Sequence, residues 1–503
     1  MTAFHPLPDY DVRPALTPGL LEALGPRGVE QALRFAGTVE KILGQRSCEL
    51  ASAQVMAAYG GGKDSSYLLM FVRAAQQLLL AQRGETFNLL IATYVQNGMT
   101  EAVFSNILRC FDRLGIAGDE RVAVKTVVDG NAVDFSPEKP IPPSTQLRDR
   151  NGILVAGHQT QGQARPTFCH RCNFDMVTMM KTVAVQLKAD IVVTGDSPRE
   201  QAQYAVWTDW TSRQLGLARP RRDFLGVLDG VESIGRHVDR TVHGESATAA
   251  VVADTPDAPP VYLSAFQFTP YDAGKHRAAL RYLDFRFDSD SFVGTESDCA
   301  NPLLMFHLRG LRAEHVLGVG YEQGAREYIR LWQELMRAKN IPLDLIDRFL
   351  GRFTGQASIA ARRADAARFA AFAYGLSEEA LVAMVYSPFA SNGRNLKAWL
   401  SRELPALAPA ESEIRASIVA LREDELTEAL AKITCLSLRQ MHHLWGCELV
   451  TPLYKLPGQT EFLRESGSAT PIAILLSRDP HQVEIATRLG PDGPEVLEIL
   501  SGR

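Results

Sequence analysis

Residues 53–66 run AQVMAAYGGGKDSS. The apolar stretch Ala53–Tyr59 is short enough for a buried strand, and an apolar helical pattern follows from about Ser65 to Arg83. Between them lie Gly60, Gly61 and Gly62, then Lys63, Asp64, Ser65 and Ser66. Strand, glycine turn and helix start form the setting that phosphate binding needs. Glycine lets the backbone turn tightly and approach an anion, and a helix N-terminus offers free N–H groups and a positive dipole end. Ser65 and Ser66 add hydroxyls and Lys63 adds charge. Asp64 would repel phosphate unless it holds a metal ion or caps the helix. The G-x-x-x-x-G-K-[ST] and G-x-G-x-x-G spacings are both absent.

Working outward, Phe87–Val95 and Arg121–Val128 read as strands, with a helix over Glu101–Leu114 between them. Residues 136–163 are rich in Pro, Gly and polar residues and read as a loop or lid. A helix is expected over Asn173–Lys188 and a strand over Ala189–Thr194. Strands alternating with helices predict an α/β fold, a parallel sheet with helices on both faces. Residues 226–260 look like an insertion, and residues 261–268 resume strand-like order. From Leu303 to about Trp445 the pattern is mainly helical, with breaks near residues 340–342 and 404–409. The Arg- and Ala-rich run at 361–372 reads as a solvated helix face. The expected division is a helical extension over 1–50, a nucleotide-binding domain over 51–305 and a mainly helical region over 306–503.

The 503 residues are 46% apolar and 22% charged, which excludes a largely disordered or fibrous chain. Lys plus Arg number 53 and Asp plus Glu 58, a net charge of −5, so no global basic field holds nucleic acid. No run of about 18 apolar residues predicts a membrane span. The N-terminal MTAFHPLPDYDVRP lacks the pattern of a secretory signal, so a cytoplasmic protein with reduced thiols is expected.

Seven cysteines are present. Cys169-His170-Arg171-Cys172 stands just ahead of the helix expected from Asn173, and two thiolates at this spacing grip one metal centre or form a redox pair. Cys299, in TESDCANP, is the best third ligand. Zinc, with His170 or His307 as a fourth ligand, an iron–sulfur cluster and a redox role all stay open. Cys48, Cys110, Cys435 and Cys447 stand alone and read as small buried hydrophobes. The fourth strand ends in Thr194-Gly195-Asp196-Ser197. Ligands of open α/β sheets bind at the carboxyl ends of strands, so this turn and Gly60–Ser66 are expected to share one crevice. Asp196 and, after Arg199, Glu200 add acidic groups there; a helix cap with first-turn charge is the plain alternative.

The glycine loop resembles the SGG-x-DS loop of the PP-loop ATP pyrophosphatase superfamily. Gly61, Gly62, Asp64 and Ser65 match that motif and Lys63 fills its variable position, while Gly60 replaces its first serine. Cys169, Cys172 and Cys299 resemble, in order, the three cysteines that hold a [4Fe–4S] cluster in the tRNA-thiolating branch, and amidotransferase-like members look similar there. Thr194-Gly195-Asp196 matches the family's TGD turn; Arg199 departs from its acidic pair and Glu200 keeps it. The resemblance covers about residues 50–305. It implies an adenine nucleotide alpha hydrolase-like fold that binds ATP with Mg²⁺ on Gly60, Gly61, Gly62, Asp64, Ser65, Ser66 and Gly195. The main chain around Ala92 to Tyr94 would cradle adenine. Lys63, Asp64, Asp196 and Glu200 would be catalytic. The implied reaction adenylates a carbonyl or carboxylate oxygen and replaces it with sulfur from a separate donor. C–N ligation with structural Zn²⁺, and nucleotide binding without catalysis, are the alternatives. The acidic balance and the absence of N-terminal zinc modules favour a small-molecule substrate over tRNA; a homodimer is open. The polar segment Thr269–Arg277 could approach the site.

Overall fold

In a computed structural model the strand expected at 53–59 forms over Gln54–Tyr59 (β1), with parallel neighbours on both sides. The structure describes residues 15–94, 97–138, 142–195, 208–209, 211–213, 215–221, 224–243, 259–269, 276–287, 302–338, 343–449, 472–476, 482–487, 489–490, 493–494 and 498–501. Around β1 lie β2 (Asn88–Tyr94), β3 (Val122–Val128), β4 (Asn131–Asp134), β5 (Ile191–Thr194) and β6 (Val261–Ser264). Their order in the six-stranded sheet is β4-β3-β2-β1-β5-β6. Every pairing is parallel except β3 with β4.

Alternation along the strands sends side chains into two separate cores. Val55, Ala57, Tyr59, Leu89, Ile91, Ile191 and Val193 join one, and Met56, Leu90, Ala92 and Val192 join the other. The first core is closed by α1 (Pro18–Gln45), α2 (Lys63–Arg83) and α3 (Glu101–Arg113). The second is closed by α4 (Pro143–Gln159), α5 (Ala164–Thr178) and α6 (Phe224–His243). Helices thus cover both faces, as a sheet of apolar parallel strands requires.

The stretch 136–163 is not an open loop. Pro143 opens α4 at its first helical position, where the missing N–H costs nothing, and Ile153, Leu154, Val155 and Ala156 are buried. Its Pro and polar residues hid the helix; Thr145, Asp149, His158 and Gln159 are themselves buried. Residues 224–243, read as part of an insertion, form α6 against α4 and α5.

After α7 (His276–Tyr282), the helical region includes α8 (Pro302–Leu311), α9 (Tyr321–Ala338), α10 (Leu343–Gly351), α11 (Gln356–Tyr374) and α12 (Glu378–Tyr386). Shorter helices continue to Gly446, where strands, not helices, close the chain: Ile472–Leu476, Gln482–Thr487 and Glu498–Ser501 form an antiparallel sheet. Leu308, Phe353, Met384 and Trp399 belong to the same core as Met56 and Val192. The junction is tight, since a Cβ on Gly157 of α4 would lie 2.1 Å from the Met384 sulfur of α12. No single described helix is long and apolar enough to cross a membrane.

His158, beside that junction, is fully buried, and neither ring nitrogen has a hydrogen-bond partner among the described residues. Burial alone pulls its pKa from 6.5 down to about 3. The unfolded chain therefore takes up this proton first, and stability present above pH 6.5 is lost as pH falls toward 3. His158→Leu is expected to flatten the acid limb of stability against pH by up to ~1.4 kcal/mol per pH unit, measured by urea unfolding below pH 6.5.

Candidate functional site

The chain runs from β1 to β2 and β3 on one side, then returns to β5 and β6 on the other. The strand order thus reverses between β1 and β5, and the crevice beyond their carboxyl ends is where open α/β sheets bind ligands. Gly60–Gly62 follow β1 and Gly195 follows β5. A Cβ on Gly195 would stand 3.4 Å from Leu68 Cδ2 and 3.8 Å from the Asp64 carbonyl oxygen. The two glycine turns, far apart in sequence, therefore meet at the start of α2.

Gly61 is fixed by sterics. Its φ is +73°, and a Cβ there would sit 2.7 Å from Ile107 Cγ1 and 2.9 Å from Val103 Cγ1 of α3. Gly62 is the extended N-cap of α2 and supplies no side-chain cap. The first helical bond is Ser66 N–H to Gly62 O, at 2.9 Å, so the N–H groups of residues 63–65 precede the ladder. Ser65 Oγ donates to Gly62 O at 3.1 Å and is half-buried. Ser66 does not face the crevice side of this turn: it is fully buried, 3.2 Å from the Tyr59 hydroxyl. Its hydroxyl ties α2 to β1.

Lys63 Nζ lies 2.6 and 2.7 Å from the two carboxylate oxygens of Asp64. His276 Nδ1 approaches Asp64 Oδ1 at 3.2 Å. Burial pushes the Asp64 pKa up, but hydrogen bonding from His276 and the charge of Lys63 outweigh it and hold the carboxyl below its usual range. The His276 ring is buried and stacks on Tyr67, 4.1 Å between centroids and 16° between planes. Tyr67 is held by Thr269, hydroxyl to hydroxyl at 2.8 Å. The polar segment 269–277 thus does reach the loop, through Thr269 and His276; its lone histidine among basic neighbours was the only signal.

Ala92 does not reach the crevice. It is fully buried inside β2, with Ala58 and Lys125 as register partners on its two sides. Tyr94 stands one residue beyond the last β1–β2 pair, and its hydroxyl donates to Asp175 of α5 at 2.5 Å. Arg148 of α4 approaches Asp175 and Asp129 at 3.4 Å each, and Asn97 donates to Asp149 at 3.3 Å. This polar cluster was missed because Arg148 and Asp149 fall in the stretch read as a loop. Thr93 also ends β2, fully buried, its hydroxyl without a hydrogen-bond partner among the described residues.

Cys169 and Cys172 lie inside α5, not ahead of it, because Pro166 falls in the helix's first turn, where proline is tolerated. They precede Asp175, which bonds Tyr94 at the sheet's carboxyl edge, on the same helix. Asp196, Glu200 and Cys299 lie outside the described residues. His307, a candidate zinc ligand, is a core histidine of α8: Nδ1 is 2.9 Å from the Tyr321 hydroxyl and Nε2 3.6 Å from Glu378. Burial, opposed by Glu378 and aided by Arg363, lowers its pKa to about 4. Among the described residues no three His, Cys, Asp or Glu side chains are grouped to hold a metal ion. Cys110 stays a thiol, since burial pushes its pKa to about 12.

No family model and no curated protein matches the chain. Among solved structures, it is similar to the U34-tRNA thiolase NcsA from Methanococcus maripaludis, described with its [4Fe-4S] cluster. Identity is 12%, coverage is 61% of this chain and 80% of that one, and the TM-score is 0.26. A likeness at that level carries nothing about activity across to this chain; the fold rests on the topology above.

Gly61→Ala is expected to destabilise the chain by about 1–2 kcal/mol from its left-handed backbone alone, and more from the clash with α3. Combining it with Ile107→Ala is expected to cost less than the sum of the two, measured by denaturant unfolding; strict additivity would remove the steric account.

Proposed function

We propose that the chain is an adenylating enzyme of the PP-loop type, which uses MgATP to activate a carbonyl or carboxylate oxygen of a small molecule for replacement by sulfur. The carrying observation is the meeting of the Gly60–Gly62 turn, the α2 N-terminus and Gly195 at the point where strand order reverses. An anion on α2 would face N–H groups of residues 63–65 and the positive end of a 21-residue helix. Lys63 and Asp64 neutralise each other; Asp64 would hold a magnesium ion, which would supply charge neutralisation for the phosphates, and Lys63 would add a second cation there. His276, stacked on Tyr67, keeps the Asp64 carboxylate ionised and oriented.

In this reading the substrate oxygen attacks the α-phosphorus, the bond to pyrophosphate breaks, and the oxygen becomes part of an AMP leaving group. The buried Tyr94–Asp175 bond fixes α5 against the sheet edge and so sets the position of the cysteine segment. Cys169, Cys172 and Cys299 would hold a [4Fe–4S] cluster, which would present sulfur from a separate donor to the activated carbon; three thiolates leave one iron open for it. Cys48, Cys110, Cys435 and Cys447 are free thiols.

Protein purified without oxygen is expected to carry about four iron and four sulfide per chain and to bind MgATP. Cys299→Ala should lose the iron and keep MgATP binding. Asp64→Ala and Ser65→Ala should lose MgATP binding and keep the iron. One zinc and no iron would move the reading to C–N bond formation with a structural metal. Unchanged MgATP binding in both loop variants would remove the nucleotide assignment.

A further inference from the structure

A cavity of about 1100 Å³ lies among α9, α10 and α11, lined by no residue of the sheet or of the glycine loop. One wall is apolar, with Ile329, Phe353 and Ile359 all buried. The polar lining includes Arg326, Arg330, Arg363 and Glu322. Two of the guanidinium groups are engaged. Arg326 Nε donates to Glu322 at 2.9 Å. Arg363 lies 2.8 Å from Glu314, donates from Nε to Glu378 at 3.2 Å and covers the Tyr321 ring at 4.5 Å. Arg330 has no carboxylate partner among the described residues and stands exposed at the mouth. Thr354, Gly355 and Gln356 also line the mouth, and α11 starts there without a side-chain cap, which adds the positive end of a 19-residue helix.

We infer that this cavity is a second binding site, for a small amphipathic anion whose flat apolar body lies against Phe353 and Ile359 and whose acidic head meets Arg330. Concave apolar sites with a few placed charges take such ligands, and Arg330, the lining guanidinium with no carboxylate partner among the described residues, fixes the sign of the head group. A neutral molecule of the same shape would leave Arg330 unused.

The test titrates the full chain, at low salt, with the fluorescent anion anilinonaphthalene sulfonate and with neutral phenylnaphthylamine. One sulfonate per chain is expected, bound several-fold tighter than the neutral probe. Arg330→Glu should weaken the sulfonate by about fivefold, in keeping with an exposed charge contact, and leave the neutral probe unchanged. Ala360→Trp, an exposed lining position, should block both probes. Arg368→Glu, on α11 outside the lining, should change neither. The proposal is overturned if binding is not saturable, if the neutral probe binds as tightly as the anion, or if both lining variants bind the sulfonate like wild type while keeping its melting curve. MgATP binding is untouched by either result.

Discussion

β1 has no solvent face and no free edge. Val55, Met56, Ala57 and Tyr59 are fully buried, and β2 and β5 flank the strand. A six-residue strand in that position must feed helices to both sides of the sheet, because each face presents apolar surface to water until it is covered. The reversal of strand order at β1 follows, and with it the crevice. Tyr59, the last residue of β1, turns this constraint into local geometry. Its hydroxyl holds Ser66 at 3.2 Å, so the first turn of α2 is pinned to the strand that precedes it. The three glycines between them have little freedom left, and Gly61 takes the left-handed backbone that packing under α3 demands.

Electrostatics at the loop follow from the same placement. A carboxylate in the first turn of a helix is favourable to the dipole and hostile to phosphate. Asp64 resolves that conflict by being paired on two sides, by Lys63 from its own helix and by His276 from a segment more than 200 residues later. His276 is itself set by Tyr67, one turn along α2, so the helix that carries the carboxylate also carries the ring that positions its partner. Any cation that approaches Asp64 must compete with an ammonium already in contact with both carboxylate oxygens.

The sheet was legible because its strands are short, apolar and punctuated: β1, β2 and β3 begin and end within about two residues of where periodicity places them. The glycine turn was legible because the strand and helix around it are. What misled were segments whose composition argues against their structure. α4 opens on Pro142-Pro143 and buries Asp149, His158 and Gln159, so polarity masked a core helix. The helix expected from Asn173 begins before the cysteines, since α5 starts at Ala164. His276 could not be assigned, since only the packing of α7 on α2 brings it to Asp64. Ser66 and Ala92 show the converse limit. Their place in a motif or a strand is readable, but which side of the element they occupy is decided by Tyr59 on one hand and by the β1 and β3 ladders on the other.

The helical region is a layer of the same body as the sheet. Leu308, Phe353, Trp399 and Met441 share one continuous core with Met56, Leu90 and Val192. α4 is the hinge of that continuity: its Arg148 meets Asp175 at the sheet edge, and its Gly157 lets Met384 of α12 approach more closely than any side chain would permit. Close-packed interiors transmit displacement instead of absorbing it. α11, which walls the cavity, packs on α4 and on α8, and α8 in turn packs on the cysteine-bearing α5. A ligand that holds α9, α10 and α11 together therefore stabilises the helices against which α4 and α5 are seated, and by linkage it stabilises the native chain as a whole. The sheet and the helical region cannot loosen independently, because the residues that cover β1 and β5 on their second face are the residues on which the helical layer is built.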